Sequence, residues 1–154
     1  MLRHVHDDDL PIFFEQERDP EARHMAAFVP DDPDDRDAFE AQWRKMRASD
    51  AIRVRTIVVD GEVVGHIASF DRDGEHEVTY WLGRSFWGRG LATDALRAFL
   101  PEDTTRPMFG RVVKDSVGSR RVLEKCGFRI CREDKGFAAG RGCEVEEYVL
   151  VLEP

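Results

Sequence analysis

No apolar run in this chain of 154 residues approaches the roughly 20 residues that a membrane-spanning helix needs. No membrane association is therefore expected. Cysteine is scarce: Cys126, Cys131 and Cys143 form no C-x-x-C pair. That spacing excludes a disulfide framework and argues against a zinc or redox dithiol, so the expected compartment is a reducing cytoplasm. The first nine residues carry three aspartates and no apolar h-region, which is not the pattern of a secretory signal. There is no internal repeat and no linker long enough to split the chain, so one domain over residues 1–154 is expected. Positive charge is also in deficit: 23 Lys and Arg stand against 31 Asp and Glu, for a net charge of -8. Nucleic-acid binding, which relies on cationic contacts to phosphate, is not expected. His4-x-His6 has no visible third ligand, so no metal site is expected.

What the chain has is a normal globular balance, 42% hydrophobic and 35% charged. The negative charge is concentrated at the front. Residues 1–50 hold 14 acids and 7 bases, whereas residues 51–154 hold 17 and 16. An acidic surface there attracts cations, although the 31–37 run also reads as plain solvated surface.

Pattern places the elements. Residues 2–6 suit a short strand, and the aspartates before Leu10, Ile12, Phe13 and Phe14 suit a helix start. Residues 19–37, rich in Pro and Asp, read as loop or broken helix, with Asp34 or Asp35 as an N-cap. Phe39, Trp43 and Met46 recur at helical spacing, which predicts a helix over 36–48. Residues 52–59 and 62–70 flank Asp60-Gly61 and predict a β-hairpin. Asp73-Gly74 predicts a second turn into a strand over 77–82. A Gly-rich segment, 83–90, leads into a helix over 91–100, closed by Pro101. A strand over 108–113 and a helix over 116–126 follow, with Val122 and Leu123 inward and Gly127 as C′ residue. Strands at 128–132 and 145–152 complete the chain around a loop at 134–143. The order predicts an α+β fold with helices on a mixed, mainly antiparallel sheet.

Chemistry concentrates in Tyr80-Trp81-Leu82-Gly83-Arg84-Ser85-Phe86-Trp87-Gly88-Arg89-Gly90-Leu91-Ala92-Thr93. A strand enters a Gly-x-Gly turn and a helix begins at once. The first helical amides have no intrahelical partner and lie at the positive end of the macrodipole. Without a Cβ at Gly88 and Gly90, an anion can reach the backbone. This is the build of a phosphate or pyrophosphate site, with Arg89 adding charge and Thr93 a hydroxyl. The dinucleotide fingerprint lacks its third Gly, because position 93 is Thr, and no Gly-Lys-Ser/Thr tripeptide exists for a P-loop. By spacing alone, an ordinary strand-to-helix turn remains an equal reading. A second segment, Asp115-Ser116-Val117-Gly118-Ser119-Arg120-Arg121-Val122-Leu123-Glu124-Lys125-Cys126-Gly127-Phe128, is a short helix closed by Gly-Phe.

Together the two segments resemble the GCN5-related N-acetyltransferase (GNAT) superfamily, and most closely its ribosomal-protein N-terminal (Rim-type) branch. The first is similar to that family's Tyr-Trp-Leu, Trp-Gly-Lys/Arg-Gly-x-Ala-Thr motif. The second is similar to Asn-x-x-Ser-x-x-Val-Leu-Glu-Lys-x-Gly-Phe. The resemblance implies a three-layer α/β/α fold with a splayed sheet of six to seven strands and about four helices. It implies acetyl-CoA as co-substrate, held between the strands 77–82 and 108–113. The pyrophosphate would meet Trp87, Gly88, Arg89, Gly90, Leu91, Ala92 and Thr93. The pantetheine would pair with Trp81 and Leu82, with Ser116 and Ser119 alongside. Three positions depart from the pattern: Ser85 replaces Gln or Arg, Ser116 replaces Asn, and Leu123 stands where many relatives carry Tyr.

The implied reaction is direct attack of a primary amine on the thioester, the amine belonging to a protein N-terminus or a small molecule. A lysine-like amine, with pKa about 10.4, costs roughly 4–5 kcal/mol to deprotonate at pH 7, an α-amine only about 1–1.5. Glu77 is the candidate proton acceptor, through water, with Glu75 and His76 as rivals should the strand register differ by one. Ser119 is the candidate partner of the leaving thiolate, in place of the absent Tyr. A backbone N–H near Trp81 and Leu82 would stabilise the oxyanion. Arg111, Lys114, Arg120, Arg121 and Lys125 are candidates for the CoA 3′-phosphate. Monomer and homodimer are both compatible with these readings. Two alternatives stand beside the enzyme: a non-catalytic acyl-CoA-binding sensor on the same fold, and a Rossmann-type nucleotide enzyme. The Asp-Gly hairpins oppose the second, which needs a mainly parallel sheet.

Overall fold

The computed structural model describes residues 1–154. Two turn dipeptides build its first half. Asp60 and Gly61 have φ of 51° and 80°, and Asp73 and Gly74 have 52° and 80°. Positive φ at both central residues is the type I′ turn that matches strand twist. These turns join β2 (Arg53–Val59), β3 (Glu62–Arg72) and β4 (Glu75–Leu82) into an antiparallel meander, which β1 (Leu2–Arg3) extends at its outer edge. The second half supplies β5 (Met108–Val113), β6 (Arg129–Ala138) and β7 (Cys143–Leu152). The seven strands run in the order β1-β2-β3-β4-β5-β7-β6. Only the central β4–β5 pair is parallel.

Helices cover both faces. On one face, α4 (Leu91–Phe99) and α5 (Val117–Lys125) bury Leu91, Ala95, Leu96, Phe99 and Leu123 against Ile67, Val78 and Met108. On the other, α1 (Asp9–Arg18) and α3 (Arg36–Ala48) bury Phe13 and Trp43 against Val54 and Ala68. The alternation of β3 decides this: Ile67 points to one layer and its neighbour Ala68 to the other. Asp35 caps α3 by accepting from Ala38 N at 3.0 Å. Gly127, at φ 96°, lets Phe128 N bond back to Leu123 O at 3.1 Å and close α5.

Two segments differ from the sequence reading. Residues 20–26 form a full helix, α2 (Pro20–Ala26), which makes five helices rather than four. Pro20 sits at its first turn, where the missing N–H costs nothing, and Asp19 accepts from Ala22 N at 2.9 Å. The 134–143 loop contracts to four residues, 139–142, because β6 and β7 continue as a ribbon through Ala138 and Cys143. Most of β6 is exposed, so its charged residues show no apolar alternation to read.

Asp9 ties the N-terminal segment to the meander. Its carboxylate accepts from Arg3 at 2.7 and 2.9 Å, His6 N at 2.8 Å and Thr56 Oγ1 at 2.7 Å. Burial alone would push its pKa up, but these donors outweigh it and hold it at about 2. Asp103 is likewise held at about 2, against burial, by Ser69, His76 and the Thr105 amide. Both folded pKa values lie below the ordinary 3.8, so both contributions are complete above that pH and vanish as the pH falls through 2. Asp9→Asn is expected to cost about 3 kcal/mol at pH 7 and to flatten the stability loss between pH 4 and pH 2. Urea titrations across that range check both.

Candidate functional site

The parallel strands at the centre barely meet. β4 and β5 pair at only two positions, His76↔Met108 and Glu77↔Phe109. Beyond Glu77 the two strands separate, so the edge of β4 from Val78 to Leu82 faces open space instead of β5. Such an edge offers unpaired backbone groups to an extended ligand. The gap is part of a cleft of about 1790 Å³ that reaches both layers.

One wall of the cleft is the loop into α4. A single 3₁₀ turn at Arg84–Phe86 follows β4, and the Trp87 indole N–H donates to Leu82 O at 3.1 Å, bracing the loop. Gly88 and Gly90 have φ of 77° and 73°, a backbone shape that glycine adopts freely. Asp94 N bonds to Gly90 O at 3.1 Å, but the amides of residues 88–93 meet no acceptor within the protein. Gly88, Gly90, Leu91, Ala92 and Thr93 all line the cleft. A run of free amides at a helix N-terminus suits a diphosphate. The loop therefore fits the expected coenzyme, and Trp81, Leu82, Ser116 and Ser119 border the same space.

The opposite wall is ionic. Glu77 is 4% exposed, and its Oε2 accepts from Arg72 Nε at 3.2 Å and Arg111 Nε at 3.3 Å. Arg111 also donates to Glu147 at 2.7 Å and Asp134 at 3.1 Å. Burial pulls the Arg111 pKa down, but these carboxylates outweigh it and raise it. Arg111 is thus embedded among carboxylates and is not free for a phosphate. Lys114 is held by Glu133 and Glu146. Arg120 faces Glu124 at 3.4 Å, while Arg121 and Lys125 line the cleft. Of the rivals to Glu77, Glu75 pairs with Arg132 at 2.8 Å. His76 lies on the far face between Asp71 at 2.8 Å and Asp103 at 2.7 Å.

Two groups that the sequence did not single out enter here. Tyr80 has its hydroxyl enclosed without a hydrogen-bond partner. Burial pushes its pKa up to about 12, with Ser119 the neighbour opposing the shift. Glu17 of α1 also lines the cleft. No metal-holding group of three or more His, Cys, Asp or Glu side chains is present.

A family model described as acetyltransferase (GNAT) domain matches residues 1–129. The chain belongs to the GNAT acetyltransferase family. The Mycobacterium smegmatis RimJ structure, in complex with CoA-disulfide, superposes with a TM-score of 0.82 at 22% identity, covering 99% of this chain and 80% of that one. A ribosomal-protein-alanine N-acetyltransferase from Brucella melitensis gives 0.78 at 20%, covering 99% of both chains. The Vibrio cholerae spermidine N-acetyltransferase, in complex with CoA and spermine, gives 0.80 at 16%, covering 98% of this chain and 94% of that one. A search of the curated proteins returns no match.

Proposed function

We propose that this GNAT protein transfers the acetyl group of acetyl-CoA to a primary amine, on a protein N-terminus or a small molecule, by direct attack in a ternary complex. One observation carries the reading. A single cleft joins the free amides of residues 88–93 to the buried Glu77 and to the α1–α3 layer, so coenzyme and acceptor can be held together. Bound acetyl-CoA supplies an activated acyl carbon and a thiol leaving group; the remaining tasks fall to this chain. The free edge of β4 aligns the pantetheine arm. Glu77, with Oε2 spent on two arginines, offers Oε1 to a water that takes the amine proton. Ser119, half-buried on α5 and next to Tyr80, offers a hydroxyl to the departing sulfur. The free state of Cys126, Cys131 and Cys143 supports a reducing, cytoplasmic setting.

The test is thiol release from acetyl-CoA across a panel of amines. Turnover on at least one amine is expected. Coenzyme binding without turnover on any would instead favour the sensor reading, which the aliphatic, 2% exposed Leu123 keeps in view. Glu77→Gln is expected to lower kcat about 10²-fold for a lysine-like amine and less for an α-amine, whose deprotonation is easier. Coenzyme affinity measured by calorimetry should not change.

A further inference from the structure

Among the carboxylates that line the cleft, Glu17 lies on α1, outside the arginine cluster that surrounds Glu77. Glu17 lies near the C-terminal end of α1, and its Oε2 is enclosed without any hydrogen-bond partner. On the same wall, both ring nitrogens of His66 are enclosed and unpartnered. Burial lowers the His66 pKa to about 3, so that ring is neutral. Phe14, Phe39, Trp43 and His66 form a continuous aromatic wall, with centroids 5.1, 6.1 and 4.9 Å apart in succession. The Trp81 indole N–H donates to Gln16 O at 3.2 Å. That bond holds the end of α1 against the stretch of β4 assigned to the thioester.

Nothing charged in the protein neutralises Glu17. Arg18, beside it, pairs with Asp34 and Glu15. From α2, Arg23 donates to Pro30 O at 2.6 Å. From α3, Arg36 stacks over the Phe14 ring and Asp35 caps Ala38 N. From β3, His66 is neutral. Burial pushes the Glu17 pKa up to about 7, opposed only by a hydrogen bond from the Trp43 side chain, which leaves Oε2 unmet. Enclosed polar atoms without partners are rare in folded proteins and costly. An anion would aggravate this one, and an apolar ligand would leave it unmet. A cation with N–H donors satisfies it, and aromatic faces favour the same charge.

We propose that Glu17 is the acceptor-recognition residue: its carboxylate takes an ammonium group of a cationic amine acceptor through a charge-assisted hydrogen bond within the aromatic wall. The proposal rests on the acetyl-transfer reading and narrows its acceptor to cationic amines. Only ionised Glu17 can do this, and an alkylammonium stays charged well past pH 8. Acceptor affinity should therefore rise about tenfold from pH 6 to pH 8 as the carboxyl ionises.

The experiment uses 1,4-diaminobutane as the probe, titrated calorimetrically into the CoA-bound protein at pH 6, 7 and 8. Wild type is compared with Glu17→Gln, and KM and kcat are followed in parallel by thiol release. Wild type should bind more tightly as the pH rises. Glu17→Gln should weaken binding 10- to 100-fold, remove the pH dependence, raise KM similarly and leave kcat within about threefold. Coenzyme affinity should hold and the thermal midpoint should not fall, since Gln removes the cost of burying a carboxylate; this separates recognition from misfolding. No binding of the diamine to wild type, an unchanged KM in the variant, or a loss confined to kcat would each overturn the proposal. Diamine binding that depends on Glu17 without thiol release would sustain it while removing the transfer reading. Thiol release with a KM indifferent to Glu17 would do the reverse.

Discussion

Gly90→Glu should lower CoA affinity at least about 10³-fold while leaving the fold intact. The position is the N-cap of α4 with φ 73°, and a Cβ built there meets nothing within 4 Å. Bulk is therefore tolerated by the free protein, and the loss comes from charge and from strain. An L-residue in the left-handed region costs about 1–2 kcal/mol. A carboxylate at the positive end of a helix recovers part of that, up to about 1 kcal/mol. The same carboxylate would occupy the concavity made by the amides of residues 88–93. Like charges brought together there cost several kcal/mol. Gly90→Ala separates the two effects, because it keeps the strain and omits the charge; a loss of about tenfold or less is expected. Calorimetry with CoA checks both, and an unaltered affinity in Gly90→Glu would remove the diphosphate from this loop.

Gly65→Ala should destabilise the protein by about 3 kcal/mol or more and weaken CoA binding at the same time. Gly65 lies opposite Leu82 across β3 and β4. A Cβ there would stand 1.9 Å from Trp81 O, 2.9 Å from Trp81 C and 3.0 Å from Leu82 Cα. All three are backbone atoms, so no rotamer change gives relief. The strands must part where Gly83 N bonds to Val64 O at 2.9 Å. Overpacking a well-packed site costs about 1–3 kcal/mol, and lost ladder bonds add to it at about 1 kcal/mol each. The displaced backbone is the edge of β4 proposed to align the coenzyme, so binding is expected to fall with stability. Urea denaturation gives the first effect. An unshifted midpoint would mean that β4 yields at no cost.

Much of the architecture was legible because its causes are local. Asp60-Gly61 and Asp73-Gly74 specify their turns through the φ values that these residues tolerate. Residues 36–48 show α3 through the spacing of Phe39, Trp43 and Met46, and Gly127-Phe128 marks the end of α5. The candidate coenzyme loop was readable for the same reason: a strand, two glycines and a helix start are consecutive. Residues 20–26 were harder, since Pro20 opens a helix or breaks one depending on its place in the turn. The β6–β7 ribbon was hidden because its exposed, charged faces lack alternation.

Carboxylate chemistry was not legible in this way. Glu77 stood out by its place on the strand, but its two arginine partners come from Arg72 and, across the splay, Arg111. Glu17 gave no signal, because its enclosure depends on Trp43 from α3 and on the cleft beside His66. The sequence alone determined most of the elements, their turns and the candidate anion-binding loop, since each follows from neighbouring residues and backbone sterics. Only the tertiary structure decided which carboxylate is paired with arginines and which keeps an oxygen without a partner. Desolvation and ion pairing are set by groups remote along the chain, and the fold alone brings them together.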